Sequence, residues 1–231
     1  MRLVTLNIRH GGGRHTAALA TALLRQRADL LVLSEFRNNR HGEALRNKLA
    51  ASGFTHQAAA VGDARLNTLL VAARLPFSVQ RQRVLAFDPV RLMEVRFSGF
   101  ALLAAHLPNL KAKIPHWKAL LRLARAEPAA RRILAGDFNT GENGADGENF
   151  RFTCADEMAR LLALGWVDAW RRLHPSKRDF TWYSHRGRGF RLDHVFLSPA
   201  LAPALRGAAL SHRVRLRGLT DHSALRVDLE L

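Results

Sequence analysis

Cysteine is nearly absent from this 231-residue chain, which has one, Cys154. A single thiol closes no internal disulfide and offers no CxxC pair to zinc, which excludes a disulfide-stapled fold and a cysteine zinc site. Long apolar runs are also missing. None approaches the roughly 20 residues needed to cross a bilayer, so no membrane role is expected. Nor does the start read as a secretory leader, because Met1-Arg2 leads straight into the alternating Leu3-Val4-Thr5-Leu6. These absences together point to a reducing cytoplasm. Acidic residues are scarce, with 19 Asp and Glu against 36 Lys and Arg, a formal net charge of +17 and a pI of about 11.6. Such an excess attracts polyanions, nucleic acid first among them. Nearly all the cations are Arg, in a chain rich in Ala and Leu, and a GC-rich genome produces the same bias without any binding role. What is present in ordinary amounts, 48% hydrophobic and 24% charged residues, is the composition of a globular protein and not of a disordered one.

No long linker, low-complexity tract or internal repeat divides the chain, so residues 1–231 read as a single domain that acts as a monomer. Residue periodicity predicts strands at 2–7 and 30–34 and helices at 16–27 and 41–51. Short β-type runs follow near 54–60, 67–73, 78–86, 92–97 and 100–106. Pro115 suits the first turn of a helix reaching about Ala126. Then come a strand at 133–135, a helix at 154–163 stopped by Gly165, and strands near 180–183, 191–197, 208–214 and 224–230. Many strands with about four helices predict an α+β fold, two sheets packed face to face and covered by helices.

Polar residues recur where these strands end. The first strand ends in Asn7, LLVLS runs into Glu35, ALLAA into His106, and ILAG into Asp137 and Asn139. Asp193 and His194 sit on the strand containing Val195, and Asp221-His222 precede the last strand. One such residue is a turn, whereas six are the pattern of a shared site along one edge of a packed sheet. Glu35, Asp221 and the amide oxygen of Asn7 are hard oxygen donors suited to Mg²⁺. With no HExxH and no cysteine cluster, zinc fits less well. His106 and His222 are placed to meet a phosphate, Asp193 to orient His222, and Asp137 with Asn139 to activate and position a water. Metal, base and charge stabilisers together describe phosphoester hydrolysis by in-line attack.

TLNIR, LVLSEFR, LLAAHLPN, ILAGDFNTG, GFRLDHVFLSP and LTDHSAL occur in an order and spacing that resembles the endonuclease/exonuclease/phosphatase superfamily, along the whole chain. The stretch from Gly165 to Ser198 is most similar to the exonuclease III and AP-endonuclease branch, while LNIR and the His of AAHLPN are closer to deoxyribonuclease I. The resemblance implies a four-layer α/β/β/α sandwich of two mixed β-sheets and a phosphodiesterase dependent on Mg²⁺, with Mn²⁺ able to substitute. It also implies Glu35 as main metal ligand with Asn7 and Asp221 nearby, Asp137 and Asn139 as the water-activating pair, and Asp193 paired with His222. In the AP-endonuclease branch the aromatic before the Arg-x-Asp unit lines the lesion pocket. That makes Phe190, with Arg191 beside it and Arg9 near Asn7, the expected substrate contacts. Two positions depart from that branch, Ser34 where it has Gln and His106 where it has Tyr, and they bear on abasic-site specificity rather than on hydrolysis.

The expected partner is therefore nucleic acid, duplex DNA in particular, cut as an endonuclease or exonuclease with a role in repair. A phosphoesterase acting on RNA, a small phosphoester or a lipid head group is the second reading, and a nucleic-acid-binding protein without catalysis the third. The intact polar set argues against the third. RHGGGRH (9–15) reads as a flexible turn and the acidic segment 142–149 as a mobile surface loop lacking the ligand order of a calcium site. His15, His41, His56, His116, His174, His185 and His212 read as surface or structural residues.

Overall fold

Residues 1–80 and 86–231 are described by the computed structural model, so the last part of the strand expected at 78–86 lies outside the described residues. The first strands are β1 (Arg2–Asn7), β2 (Leu30–Phe36), β3 (His56–Ala59) and β4 (Thr68–Ala73). Next come β5 (Ser78–Gln80), β6 (Leu92–Phe97), β7 (Phe100–His106), β8 (Arg132–Asp137) and β9 (Val167–Asp168). A short ribbon pairs β10 (Trp182–Tyr183) with β11 (Gly189–Phe190), before β12 (Asp193–Leu197), β13 (Leu205–Ser211) and β14 (Ala224–Leu229). The helices are α1 (Thr16–Leu24), α2 (Arg40–Ala51), α3 (Ile114–Ala126), α4 (Ala155–Ala163), α5 (Ala169–Leu173) and α6 (Arg213–Leu216).

Two six-stranded sheets result, ordered β13-β14-β1-β2-β4-β3 and β5-β6-β7-β8-β12-β9. Both are mixed. Each holds one parallel pair at its centre, β1 with β2 and β7 with β8, and each pair is joined through a helix, α1 or α3. Parallel neighbours end on the same edge, and this carries Asn7 and Ser34 level with each other in one sheet and His106 level with Asp137 in the other. In the second sheet the antiparallel β12 starts where β8 ends, so Asp193 lies opposite Asp137.

Side chains alternate across each strand, and the alternation builds three apolar layers. Leu3, Val32, Val71 and Val227 face Val95, Leu102, Ile133 and Val195 between the sheets. Their sequence neighbours Val4, Leu31 and Leu33 face Leu19, Leu23, Leu45 and Leu49 of α1 and α2. On the other side Leu103, Leu134 and Phe196 pack under Trp117, Leu120, Met158 and Leu161 of α3 and α4. The expected four-layer α/β/β/α sandwich is what forms.

The structure differs from the expected elements mainly at their ends. The strand predicted at 208–214 runs instead from Leu205 to Ser211, and the chain then turns into α6. Helix α5 and strand β9 were not foreseen, being too short for periodicity to register. The segment 9–15 is indeed a run of tight turns, with Gly11, Gly12 and Gly13 all at positive φ.

Candidate active site

Gly136, between the apolar run and Asp137, explains the layout of the central strands. Its φ is 143°, and a Cβ there would lie 1.8 Å from the Ala105 carbonyl oxygen. Only glycine lets β8 lie this close to β7, and the close approach places Asp137 beside His106. The next residues are held as tightly. The Asn139 backbone N–H donates to Asp137 Oδ1 at 2.9 Å, and its side-chain Nδ2 donates to the Leu107 carbonyl at 2.8 Å. Asn139 itself sits at φ 48°, a strained conformation typical of functional turns.

Glu35 reaches the site by a different device. The pairing of β2 with β4 slips between Ser34 and Phe36, leaving Glu35 in a β-bulge at φ 57°. Bulges re-aim side chains beside active sites, and here the carboxylate turns to the sheet edge. Asn7 Nδ2 donates to Glu35 Oε1 at 3.1 Å, and Asn67 Nδ2 and the His10 backbone N–H donate to Oε2, each at 2.9 Å.

Asn7 links the two sheets, because the same Nδ2 also donates to Asp137 Oδ2 at 2.9 Å. Its Oδ1 accepts from the Arg9 backbone N–H at 2.9 Å. Two carboxylates on one side and an N–H on the other both require this orientation of the amide. Asn7 was expected to offer its oxygen to a metal. Here its amide nitrogen bridges Glu35 and Asp137, while its Oδ1, which carries two lone pairs, accepts one N–H from Arg9.

Asp193 and His222 form the expected pair, with Nδ1 and Oδ2 2.8 Å apart and both residues buried. Burial works against a charged imidazole, yet Asp193, with smaller help from Asp137 and Asp221, outweighs it and pushes the His222 pKa up to about 9. Burial, reinforced by the nearby Asp193 charge, pushes Asp137 up to about 6 against the pull of His222 and of its own hydrogen bonds. His106 moves the opposite way. Burial lowers it to about 4, with Arg91 and His222 adding to the effect and Glu35 and Asp193 opposing it, so the ring is neutral at pH 7. Among the described residues its Nδ1 has no hydrogen-bond partner.

Asp137, Asp193 and His222 present ligand-type atoms within 4.8 Å of one another. Within that trio His222 Nδ1 is already engaged by Asp193 Oδ2 at 2.8 Å. The donors suited to a hard cation are Glu35 and Asp221, carboxylates that are only partly buried and that line the same cavity of about 380 Å³ as Asn7, His106, Asp137, Asn139 and His222. Asp221 Oδ2 accepts from the indole N–H of Trp182 at 3.2 Å.

Of the expected substrate contacts, Phe190 lies in the cavity wall, packed edge-on against Phe150 at 5.2 Å and tilted by 45° against Trp182 at 5.7 Å between ring centroids. Arg9 is exposed beside Asn7. Arg191 is a correction. Alternation turns it away from the cavity that Phe190 and Leu192 line, and it is fully buried. Its guanidinium pairs with both oxygens of Asp146 at 2.8 Å and with Asp168 at 2.8 Å. Arg191 holds Asp168 well below the usual carboxylate range despite its burial, with His194 adding to the effect. The same pairs anchor the 142–149 segment, which was expected to be a mobile surface loop, through the buried Asp146.

Three residues of the site were not singled out for it in the sequence. Asn67 precedes β4, which runs antiparallel to β2, so it enters from the start of a strand and not from the end of one. Lys113 is buried in a short turn before α3, where its ammonium donates to the Asn139 carbonyl. Burial lowers its pKa to about 8, partly offset by Cys154 and Asp137. Phe150 completes the aromatic wall from the loop that Asp146 pins.

The profile of the Endonuclease/Exonuclease/phosphatase family matches residues 4–222. The 3′ phosphatase NExo from Neisseria, solved bound to a product DNA hairpin, superposes with a TM-score of 0.85 at 23% identity, covering 100% of both chains. An AP endonuclease from Archaeoglobus fulgidus does so with a TM-score of 0.85 at 19% identity, and the 3′-5′ exonuclease NExo from Neisseria meningitidis with 0.84 at 24%, again over 100% of each chain. Recombination repair protein 1 of Drosophila melanogaster is 25% identical over 167 residues. That match takes in 61% of this chain and 24% of the fly protein, so the chain spans about a quarter of that relative.

Proposed function

This chain belongs to the Endonuclease/Exonuclease/phosphatase family, and from that membership and the geometry of its site we propose that it is a divalent-metal-dependent hydrolase of DNA phosphodiester bonds. The observation that carries the reading is the convergence of Glu35, Asp221, Asp137, Asn139, His106 and His222 on one cavity. The donor set fits Mg²⁺, or Mn²⁺ in its place. Glu35 and Asp221 are hard oxygen ligands with solvent access, and they leave positions for water and phosphate. When bound, the cation supplies charge to the phosphate and to the departing oxygen.

The chain's own residues supply the rest. Asp137, ionised above about pH 6, accepts a proton from the attacking water. Asn139 and Lys113 hold the turn that aims it. His222, kept protonated by Asp193, lies against the phosphate and stabilises charge as it develops. Neutral His106 presents its ring to the same space. The wall of Trp182, Phe190 and Phe150 gives an aromatic surface for a base or an unpaired sugar beside the scissile bond. Duplex DNA as substrate and a part in repair are supported by the +17 charge and by the relatives' printed descriptions, an AP endonuclease, a 3′ phosphatase bound to DNA and a recombination repair protein. A monomer in the cytoplasm remains the expectation of the sequence.

The test is one assay with added Mg²⁺ and with EDTA on abasic duplex, intact duplex, single strand and bis-p-nitrophenyl phosphate. Metal-dependent cleavage of duplex is expected, lost in Glu35→Ala while the fold persists. Full turnover in EDTA would overturn the metal assignment, and efficient cleavage of the small diester alone would replace DNA by a small phosphoester.

A further inference from the structure

Trp182 belongs to both halves of the cavity. Its ring packs at 5.7 Å from Phe190 in the aromatic wall, while its indole N–H donates to Asp221 Oδ2 at 3.2 Å. The backbone ties it to the same place, since Trp182 bridges to His222 and the Ser223 N–H donates to the Thr181 carbonyl at 2.7 Å. An indole has an apolar body and a single donor, so one side chain here touches both the pocket that takes a base or sugar and the carboxylate that takes the cation. Thr220 Oγ1, the other neighbour of Asp221, lies 3.5 Å from Oδ1 and donates at 2.7 Å to the Asn7 carbonyl instead. Among the described residues, Trp182 is therefore the main group orienting Asp221.

We infer that Trp182 is a positioning residue that couples occupancy of the aromatic pocket to cation binding at Asp221. This rests on the proposed metal-dependent reading of the site. A nucleotide or abasic sugar packed against the ring fixes the indole, the fixed N–H fixes the carboxylate, and the cation is held more tightly. Carboxylates that ligate metals depend on such outer partners, whose loss costs about 10–100-fold in affinity. Because coupling between two ligands is reciprocal, the cation must equally tighten binding in the pocket. The device selects substrate in the turnover step, because a poorly fitting substrate leaves Asp221 free to rotate.

The experiment compares the wild-type chain with Trp182→Phe, which keeps an aromatic ring in the wall and removes only the donor. Mn²⁺ affinity is measured from the free-ion electron paramagnetic resonance signal, with and without a duplex carrying a tetrahydrofuran abasic analogue. Expected are tighter Mn²⁺ binding by the wild type when the duplex is present, and in Trp182→Phe an affinity about tenfold weaker that the duplex no longer improves. The variant should lose kcat and, at saturating Mg²⁺, should bind the duplex more weakly by the same factor as the Mn²⁺ enhancement it has lost. The wild type alone gives a second reading that needs no variant: Mg²⁺ should shift the emission of Trp182, since Trp117 and Trp166 are buried under the helices and Trp170 between the sheets. Equal Mn²⁺ affinity and equal duplex enhancement in both proteins would overturn the coupling while leaving the metal-dependent function standing. A wild type that binds no Mn²⁺ would overturn both.

Discussion

Replacing Asp137 by Asn should destroy activity and raise stability at neutral pH. The buried carboxyl titrates at about 6 instead of its ordinary 3.8, so the folded state holds its proton more tightly than the unfolded chain does. Its contribution to stability is thus fully present below about pH 3.8 and lost as the pH rises through 6. The shift of roughly 2 units, at about 1.4 kcal/mol per unit, means that ionised Asp137 costs the fold about 3 kcal/mol above pH 6. An Asn at this position never ionises. It keeps an oxygen for the Asn139 N–H but turns an NH₂ toward that of Asn7, losing a hydrogen bond worth about 1 kcal/mol. The net gain at pH 7.5 is about 2 kcal/mol, or roughly 4–8 °C in Tm for a chain of this size. At pH 4 the wild-type carboxyl is already mostly neutral, and the variant should melt level with the wild type or slightly below it. The assay is thermal melting of both proteins in EDTA at the two pH values. A variant that melts lower at pH 7.5, or shifts equally at both, would show that the native site stabilises the carboxylate and refute the reasoning.

The pH profile of kcat/KM should be a bell, rising through about 6 as Asp137 ionises and falling through about 9 as His222 loses its proton. Asp193→Asn removes the charge that holds the imidazole protonated and should move the alkaline limb to lower pH; an unmoved limb would assign it to another group. Arg191→Met takes the shared partner from two buried carboxylates, leaving Asp146 with Arg171 and Asp168 with His194, and should cost at most about 3–5 kcal/mol, seen as a fall in Tm. Because Arg191 is buried, its loss should leave the salt dependence of duplex binding unchanged, whereas neutralising the exposed Arg188 should flatten the log–log slope by roughly 0.9 if it meets a phosphate. A flattened slope in an Arg191 variant that remains folded would restore that residue to the substrate.

What the sequence made legible was the part of the site built by strand order. Asn7, His106 and Asp137 each follow an apolar run directly, and once two parallel pairs occupy the sheet centres, those ends meet on one edge whatever the loops do. Glu35 was legible in position but not in mechanism, since the bulge that turns it depends on how β4 pairs, a non-local fact. The direction of a side chain at a strand end was not legible. Arg191 was placed correctly in the chain and wrongly in space, because a single step along β11–β12 reverses which side of the layer it faces. Polar side chains buried near a site go where an unpaired charge would otherwise be stranded, and the partners that decide this, Asp146 and Asp168 for Arg191, come from loops and short elements that carry no periodic signal. The buried Arg191 pairs therefore bear on the cavity through shape: they fix the loop that carries Phe150 and Phe152 against Phe190, and so set its aromatic wall.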